Sequence, residues 1–312
     1  MGLTALGWAV ACSSSNGGSS GSSTSGSGGT SGGGSGSSGG SSGNASGSSG
    51  AGGSSGTADA GPSTVLIDDM SGTAGAQIRL QPQAAGDVAG YWYTYDNPVG
   101  VVTPPPQDEI TDGGSASFTY SPAPTPLPAD AGAIANAACV KGTTASAQYS
   151  VAAEGFNFQT TPADAGATPV AYNASSHTGI QFWLWVDPVT GVPMGGAPGG
   201  ISVQLPDKDT SPYGGVCGLD AAPANECNSH FKQDLTPTST PPLVTGWQFV
   251  QVAFALLTQN QYFGFQAPSA MFNSQAVYAV NFQVQQSNAP DAGADGGGPL
   301  PFNFCVADIS FY

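Results

Sequence analysis

The sequence predicts an all-β fold, a single β-sandwich carried behind a long polar tether, and three observations carry that prediction. From Val65 onward, β-branched and aromatic residues come in short runs separated by Pro, Gly, Asp and Asn, the texture of many short strands joined by turns. Several of these runs alternate apolar and polar residues with period two, as a half-buried strand must. No stretch sustains helical periodicity with caps, and Pro-rich stretches at 103–106, 122–128 and 237–242 would interrupt one.

Taken in order, residues 67–70 and 78–80 read as early strands, and Tyr91 to Tyr95 as an aromatic strand ended by Asp96, Asn97 and Pro98. Residues 146–151 follow. The clearest strand is 180–186, where Ile180, Phe182, Leu184 and Val186 fall on one side and Gln181, Trp183 and Trp185 on the other. Ile201, Val203 and Leu205 alternate with Ser202 and Gln204; Val250, Val252, Phe254 and Leu256 with Gln251, Ala253 and Ala255; Val280, Phe282 and Val284 with Asn281, Gln283 and Gln285. Residues 304–312 close the chain as a final strand. The segments 162–169 and 290–301, rich in Pro, Asp, Ala and Gly, read as loop insertions.

Of 312 residues, 47 are Gly and 25 Pro, and residues 13–61 are almost wholly Ser, Gly, Thr and Ala. Such a segment has little to bury and loses much backbone entropy on ordering, so it reads as a disordered linker reaching ~40 Å on average. One folded domain is expected, over 62–312. Four Lys+Arg against twenty Asp+Glu give a net charge of −16, which repels phosphate backbones and anionic headgroups and excludes nucleic acid as a partner. A charged fraction of only 8% leaves surface polarity to Ser, Thr, Asn and Gln, a composition suited to an extracellular surface.

Residues 1–12 resemble the end of a bacterial lipoprotein signal peptide: Ala9, Val10 and Ala11 lead into Cys12, the position lipidated in such proteins, although Ala9 replaces the usual Leu and the basic n-region is absent. The expectation is an outer-membrane or cell-surface protein held by a lipid anchor only, since no other stretch is long and apolar enough to span. The other four cysteines are even in number. The ten-residue spacing of Cys217 and Cys227 makes them a natural local bridge, leaving Cys139 to pair with Cys305. Loop entropy assigns ~3 and ~5 kcal/mol to the two as upper estimates; four reduced thiols or a zinc site are the alternatives, and the absence of CxxC and of spaced His ligands counts against zinc.

Only two histidines occur, His177 and His230, and there is no nucleophile elbow, phosphate-binding Gly loop or His-Glu-x-x-His motif. A glycosidase needs a carboxylate pair, but Glu109, Glu154, Glu226 and the aspartates offer no convincing catalytic setting. One binding constellation gathers Asp207, Lys208 and Asp209 after the 201–205 strand with His230 beyond the cysteine loop, a rigid rim for hydroxyls or a divalent ion; turn capping and a local ion pair would explain the same residues. Asp68, Asp69 and Asp308 could supply oxygen ligands to a structural Ca2+ if the first and last strands adjoin, or serve as turn and edge residues. The third feature is aromatic: Trp92, Tyr93, Trp183 and Trp185 could stack on sugar rings while Gln204, Asn281 and Gln283 bond hydroxyls, whereas each ring alone reads as core.

The succession Leu66-Ile67-Asp68-Asp69-Met70, Gly90 to Asp96, Gly179 to Trp183, Leu205-Pro206-Asp207-Lys208-Asp209-Thr210, Cys227 to Phe231, Gly246-Trp247-Gln248 and Ala307 to Phe311 resembles the galactose-binding-like jelly rolls of myxobacterial surface lipoproteins and, more distantly, family-11 carbohydrate-binding modules. The resemblance spans most of residues 64–312 and implies a jelly roll of two antiparallel sheets, with calcium between early and terminal strands at Asp69 and Asp308. The function expected is a non-catalytic, monomeric surface lipoprotein binding polysaccharide or cell-wall glycan. A protein-binding adhesion protein and a glycoside hydrolase or polysaccharide lyase are the alternatives.

Overall fold

The computed structural model describes residues 64–72, 76–96, 101–105, 118–144, 151–162, 167–192, 200–218, 225–227, 229–259, 264–285 and 299–312. The expectations for the signal-peptide remnant, Cys12 and the 13–61 linker lie outside the described residues. The strands are β1 (Val65–Asp68), β2 (Val88–Ala89), β3 (Trp92–Asp96), β4 (Val101–Thr103), β5 (Ser121–Pro122) and β6 (Asn136–Thr143). There follow β7 (Val151–Asn157), β8 (Gln159–Thr160), β9 (Pro169–Val170), β10 (Gly179–Val186) and β11 (Ile201–Leu205). The last are β12 (Phe231–Leu235), β13 (Gly246–Ala253), β14 (Thr258–Gln259), β15 (Ala279–Gln285) and β16 (Pro301–Phe311).

They form a jelly-roll sandwich of two antiparallel sheets. A seven-stranded sheet runs β13-β10-β16-β6-β4, with β1 beside β16 and β5 beside β6; a six-stranded sheet runs β14-β12-β11-β15-β7-β3. The chain crosses repeatedly between them, β6 to β7, β10 to β11, β12 to β13 and β15 to β16. A small third sheet, β2-β8-β9, lies outside the pair. The inward set predicted for β10, Ile180, Phe182, Leu184 and Val186, is fully buried, and meets Phe282 of β15 with ring centroids 5.1 Å apart. The predicted run 250–256 is corrected at its end: β13 stops at Ala253 and Phe254–Leu256 turns as a 3-10 helix.

Strand β6 has the sequence NAACVKGT, whose Ala and Gly content carries little β-propensity. Its position is fixed by β16, with Cys139 directly opposite Cys305 and bonded to it, Cα–Cα 4.0 Å. Cys217 and Cys227 form the second bridge, Cα–Cα 5.2 Å. The sheets are also joined by a buried polar contact: Asp68 of β1 accepts from Trp92 Nε1 of β3 at 2.8 Å and from the Tyr120 hydroxyl at 2.7 Å.

One core position breaks the pattern. Glu154 of β7 stands opposite Phe282 and Thr94 on the inward side, is fully buried, and has no hydrogen-bond partner among the described residues at either carboxylate oxygen. Burial holds its pKa well above the ordinary carboxylate range. The folded protein therefore keeps a proton that the unfolded chain releases near pH ~4.3, and stability falls as pH rises from there toward the folded pKa. Glu154→Gln removes that dependence. The variant is expected to exceed wild type by about 1–3 kcal/mol at pH 8, an advantage that shrinks toward pH 4, in urea unfolding across a pH series. Asp68, Asp207 and Asp308, also raised, contribute a slope common to both proteins; identical curves for the two would contradict this reading of Glu154.

Candidate functional site

The outward face of the six-stranded sheet carries two rows of side chains in register. The first runs Tyr93, Gly155, Asn281, Gln204, Lys232 and Thr258 across β3, β7, β15, β11, β12 and β14. The second runs Tyr95, Ala153, Gln283, Ser202 and Asp234. Both tyrosines reach over β7 to an amide two strands away: the Tyr93 hydroxyl donates to Asn281 Oδ1 at 2.6 Å and that of Tyr95 to Gln283 Oε1 at 3.3 Å. Small residues beneath allow this. A Cβ on Gly155 would lie 2.5 Å from Asn281 Oδ1 and 2.6 Å from Val280 O, so glycine is required where the phenol crosses. At the far end Lys232 Nζ pairs with both oxygens of Asp234 at 3.0 and 2.9 Å, neutralising the charges of the face locally.

At one end of these strands the face deepens into a cavity of about 140 Å³, a volume that suits a single small ring. Tyr93, Asn157, Tyr278 and Asn281 line it from the sheet, Ser211, Pro212 and Tyr213 from the loop after β11, and His230 from the start of β12. Its lining includes no Asp, Glu, Lys or Arg. Burial lowers the His230 pKa to about 4, outweighing a hydrogen bond with the Thr210 backbone that acts to raise it, so the imidazole is neutral at physiological pH. The cavity is thus uncharged, aromatic and amide-bearing.

The loop wall is built by Asp207. Fully buried, it accepts from Thr210 N and Asp209 N at 3.1 Å, Thr210 Oγ1 at 2.9 Å and Asn273 N at 2.9 Å. These bonds partly offset the burial that raises its pKa. Asp207 therefore acts as a turn cap and tie to residue 273, the structural alternative raised for it. Ser211 caps the short helix Pro212–Gly214, and the Tyr278 hydroxyl donates to Tyr213 O at 3.2 Å. Gly214 presses so closely on Lys208 that a Cβ would lie 1.8 Å from its carbonyl oxygen. The Cys217–Cys227 bridge joins the Tyr213 wall to the His230 wall. Lys208 is exposed and Asp209 half-buried, and neither lines the cavity.

The aromatic candidates separate. Tyr93 and Asn281 line the cavity, and Gln204 and Gln283 lie in the outward rows beside them. Trp92, one residue earlier, points inward: it is 4% exposed and stacks with Phe118, Phe156 and Phe282 at 5.6, 5.0 and 6.3 Å, so it is core. Trp183 and Trp185 lie on the outward side of the seven-stranded sheet, opposite Phe249 and Trp247. A single platform combining them with Gln204, Asn281 and Gln283 is ruled out, because outward faces of the two sheets look in opposite directions.

The carboxylates proposed for calcium are engaged otherwise. Asp68 accepts from Trp92, Tyr120 and Met70 N. Asp69 pairs with Arg79 at 3.2 Å; although burial pushes its pKa up, Ser71 and Arg79 hold it below the ordinary value. Asp308, raised by burial and by the charges of Asp69 and Asp68, sits on a bulge with φ 48°. Among the described residues no group of three or more His, Cys, Asp or Glu is placed to hold a metal, and with Arg79 already beside Asp69 the set does not fit a calcium ion. Sequence reasoning missed Tyr213, Tyr278 and Gly155 as parts of the site. Tyr278 directly precedes the β15 run and Tyr213 lies just before the cysteine loop, so their convergence is tertiary; the glycine between Glu154 and Phe156 is the one local signal.

No family model matches the sequence, and no curated protein matches it. Among solved structures, it is similar to the family 11 carbohydrate-binding module of the cellulosomal cellulase Lic26A-Cel5E of Clostridium thermocellum, at 12% identity and a TM-score of 0.42, covering 80% of this chain and 94% of that one. A second structure of a family 11 module from Clostridium thermocellum, in complex with a β-1,3-1,4-mixed-linked tetrasaccharide, gives 12% identity and a TM-score of 0.41 over 80% and 94% of the two chains. At these values no residue or ligand is carried over from either.

Proposed function

We propose that the domain binds neutral carbohydrate without turning it over, at the outward face of the six-stranded sheet, with the cavity taking one sugar ring. The observation that carries this is the uncharged cavity lined by tyrosines and amides. Phenol faces pack against the C–H face of a pyranose, and Asn281, Gln204, Gln283 and Asn157 offer donors and acceptors to hydroxyls. An anionic sugar finds no free cation in the lining and meets a net charge of −16. Hydrolysis requires two carboxylates flanking the scissile bond, and the lining supplies none. Affinity is modest, since each stacking and hydroxyl contact is offset by desolvation and ordering. Lipidation at Cys12 and the 13–61 linker complete the proposal: the module is displayed at the outer membrane or cell surface, clear of the headgroups.

Retention on insoluble neutral polysaccharides, and titration with a β-1,3-1,4-mixed-linked tetrasaccharide as one soluble probe, test the reading. Tyr93→Ala and Asn281→Ala are expected to weaken retention about ten-fold or more, while Trp185→Ala, on the opposite sheet, leaves it unchanged. Loss in Trp185→Ala alone would move the site to the other face, and no retention of any glycan by wild type would favour a protein-binding adhesion role. Replacing Cys217 and Cys227 together by Ser should lower stability by about 3 kcal/mol. Well below the melting transition it should also weaken glycan binding several-fold, because Tyr213 and His230 are no longer held together; unchanged affinity would show that the bridge serves stability alone.

A further inference from the structure

The eight-residue strand β13, GWQFVQVA, forms one margin of the seven-stranded sheet and, among the described residues, pairs only with β10. Phe254 N donates to Thr178 O at 2.9 Å, which fixes the alternation of the strand: Trp247, Phe249, Gln251 and Ala253 turn their backbone N–H and C=O groups away from β10. None of these groups has a hydrogen-bond partner among the described residues. The other margins are short, with three residues in β4, two in β14 and five in β3. β13 carries none of the devices that guard a free edge, having no Lys, no Pro and no inward charge. Phe249 and Gln251 are exposed beside it, and Val244 and Leu256 extend the apolar margin past both ends.

Charge distribution favours a second copy of the chain as the occupant. Two copies of a chain with net charge −16 repel each other over most of their surface, but the segment from Leu235 to Pro290 contains no Asp, Glu, Lys, Arg or His. The margin where the backbone is open is therefore where a second copy meets least repulsion. We propose that the protein associates through β13 with a second copy of itself, the two strands running antiparallel about a two-fold axis through Val250. That register sets Phe249 against the partner's Gln251 and Trp247 against the partner's Ala253, so every outward N–H and C=O along the margin finds its complement in an isologous contact. The two seven-stranded sheets then continue into one. This replaces the monomer expected from the sequence.

Sedimentation velocity on the full chain, from low to high micromolar, reads the association, with Gln251→Lys and Gln251→Pro as variants. Lysine places a charge on the pairing margin. Proline deletes an N–H that faces away from β10, so the strand's own pairing is preserved. Wild type is expected to show a concentration-dependent monomer–dimer equilibrium, and both variants to weaken it about ten-fold or more while keeping a cooperative melt. A wild type that stays monomeric throughout, one that recruits an extended strand of a different protein while remaining monomeric, or a dimer that persists in both variants would each overturn the proposal. Should the variants fail to fold, amide exchange in wild type decides: protection at Trp247, Phe249, Gln251 and Ala253 must rise with protein concentration, and concentration-independent exchange there contradicts the proposal.

Discussion

Side-chain alternation on the six-stranded sheet is the constraint from which the rest of the molecule follows. With Val280, Phe282 and Val284 buried against the facing sheet, Asn281 and Gln283 must face outward, and the paired registers carry the same parity through β3, β7, β11 and β12. A slip of one residue in any of these strands would move its apolar set to solvent. The burial that stabilises the sandwich therefore also assembles the outward rows of tyrosine, amide and ion pair.

Within that frame the chemistry of the face is set by residues that are small or neutral. Gly155 and Ala153 open a trough over β7 that two phenols cross to bond amides on β15. Asp207 fixes the loop wall from below, and the Cys217–Cys227 bridge ties that wall to His230. Charge is kept off the cavity by burial of the imidazole and by the closed pair of Lys232 and Asp234. Glu154 is the exception: it is a buried carboxyl directly beneath this region, beside Gly155, and its burial pushes its pKa well up and so favours the neutral form.

The alternating strands β10, β11 and β15 were legible because each reads its own burial pattern in its sequence. Strand β6 was not, since Ala and Gly carry no such pattern and it is held by its partner and a disulfide. Both bridges followed from spacing and count. Of the candidate binding residues, Tyr93, Gln204, Asn281, Gln283 and His230 lie on or beside one face. What sequence reasoning could not supply was which outward face each strand presents, and so it combined Trp183 and Trp185 with amides on the opposite side of the sandwich. Trp92 and Asp68 show a related difficulty: their aromatic and acidic character suggested ligands, whereas a buried hydrogen bond between them joins the two sheets.

Amide chemical-shift mapping during titration with a neutral oligosaccharide tests the central claim most directly, because it reports both faces at once. The account predicts saturable shifts at Tyr93, Asn281, Gln204, Tyr213 and His230, with the signals of Gln181, Trp183, Trp185 and Phe249 unmoved. Shifts confined to the seven-stranded sheet would contradict it.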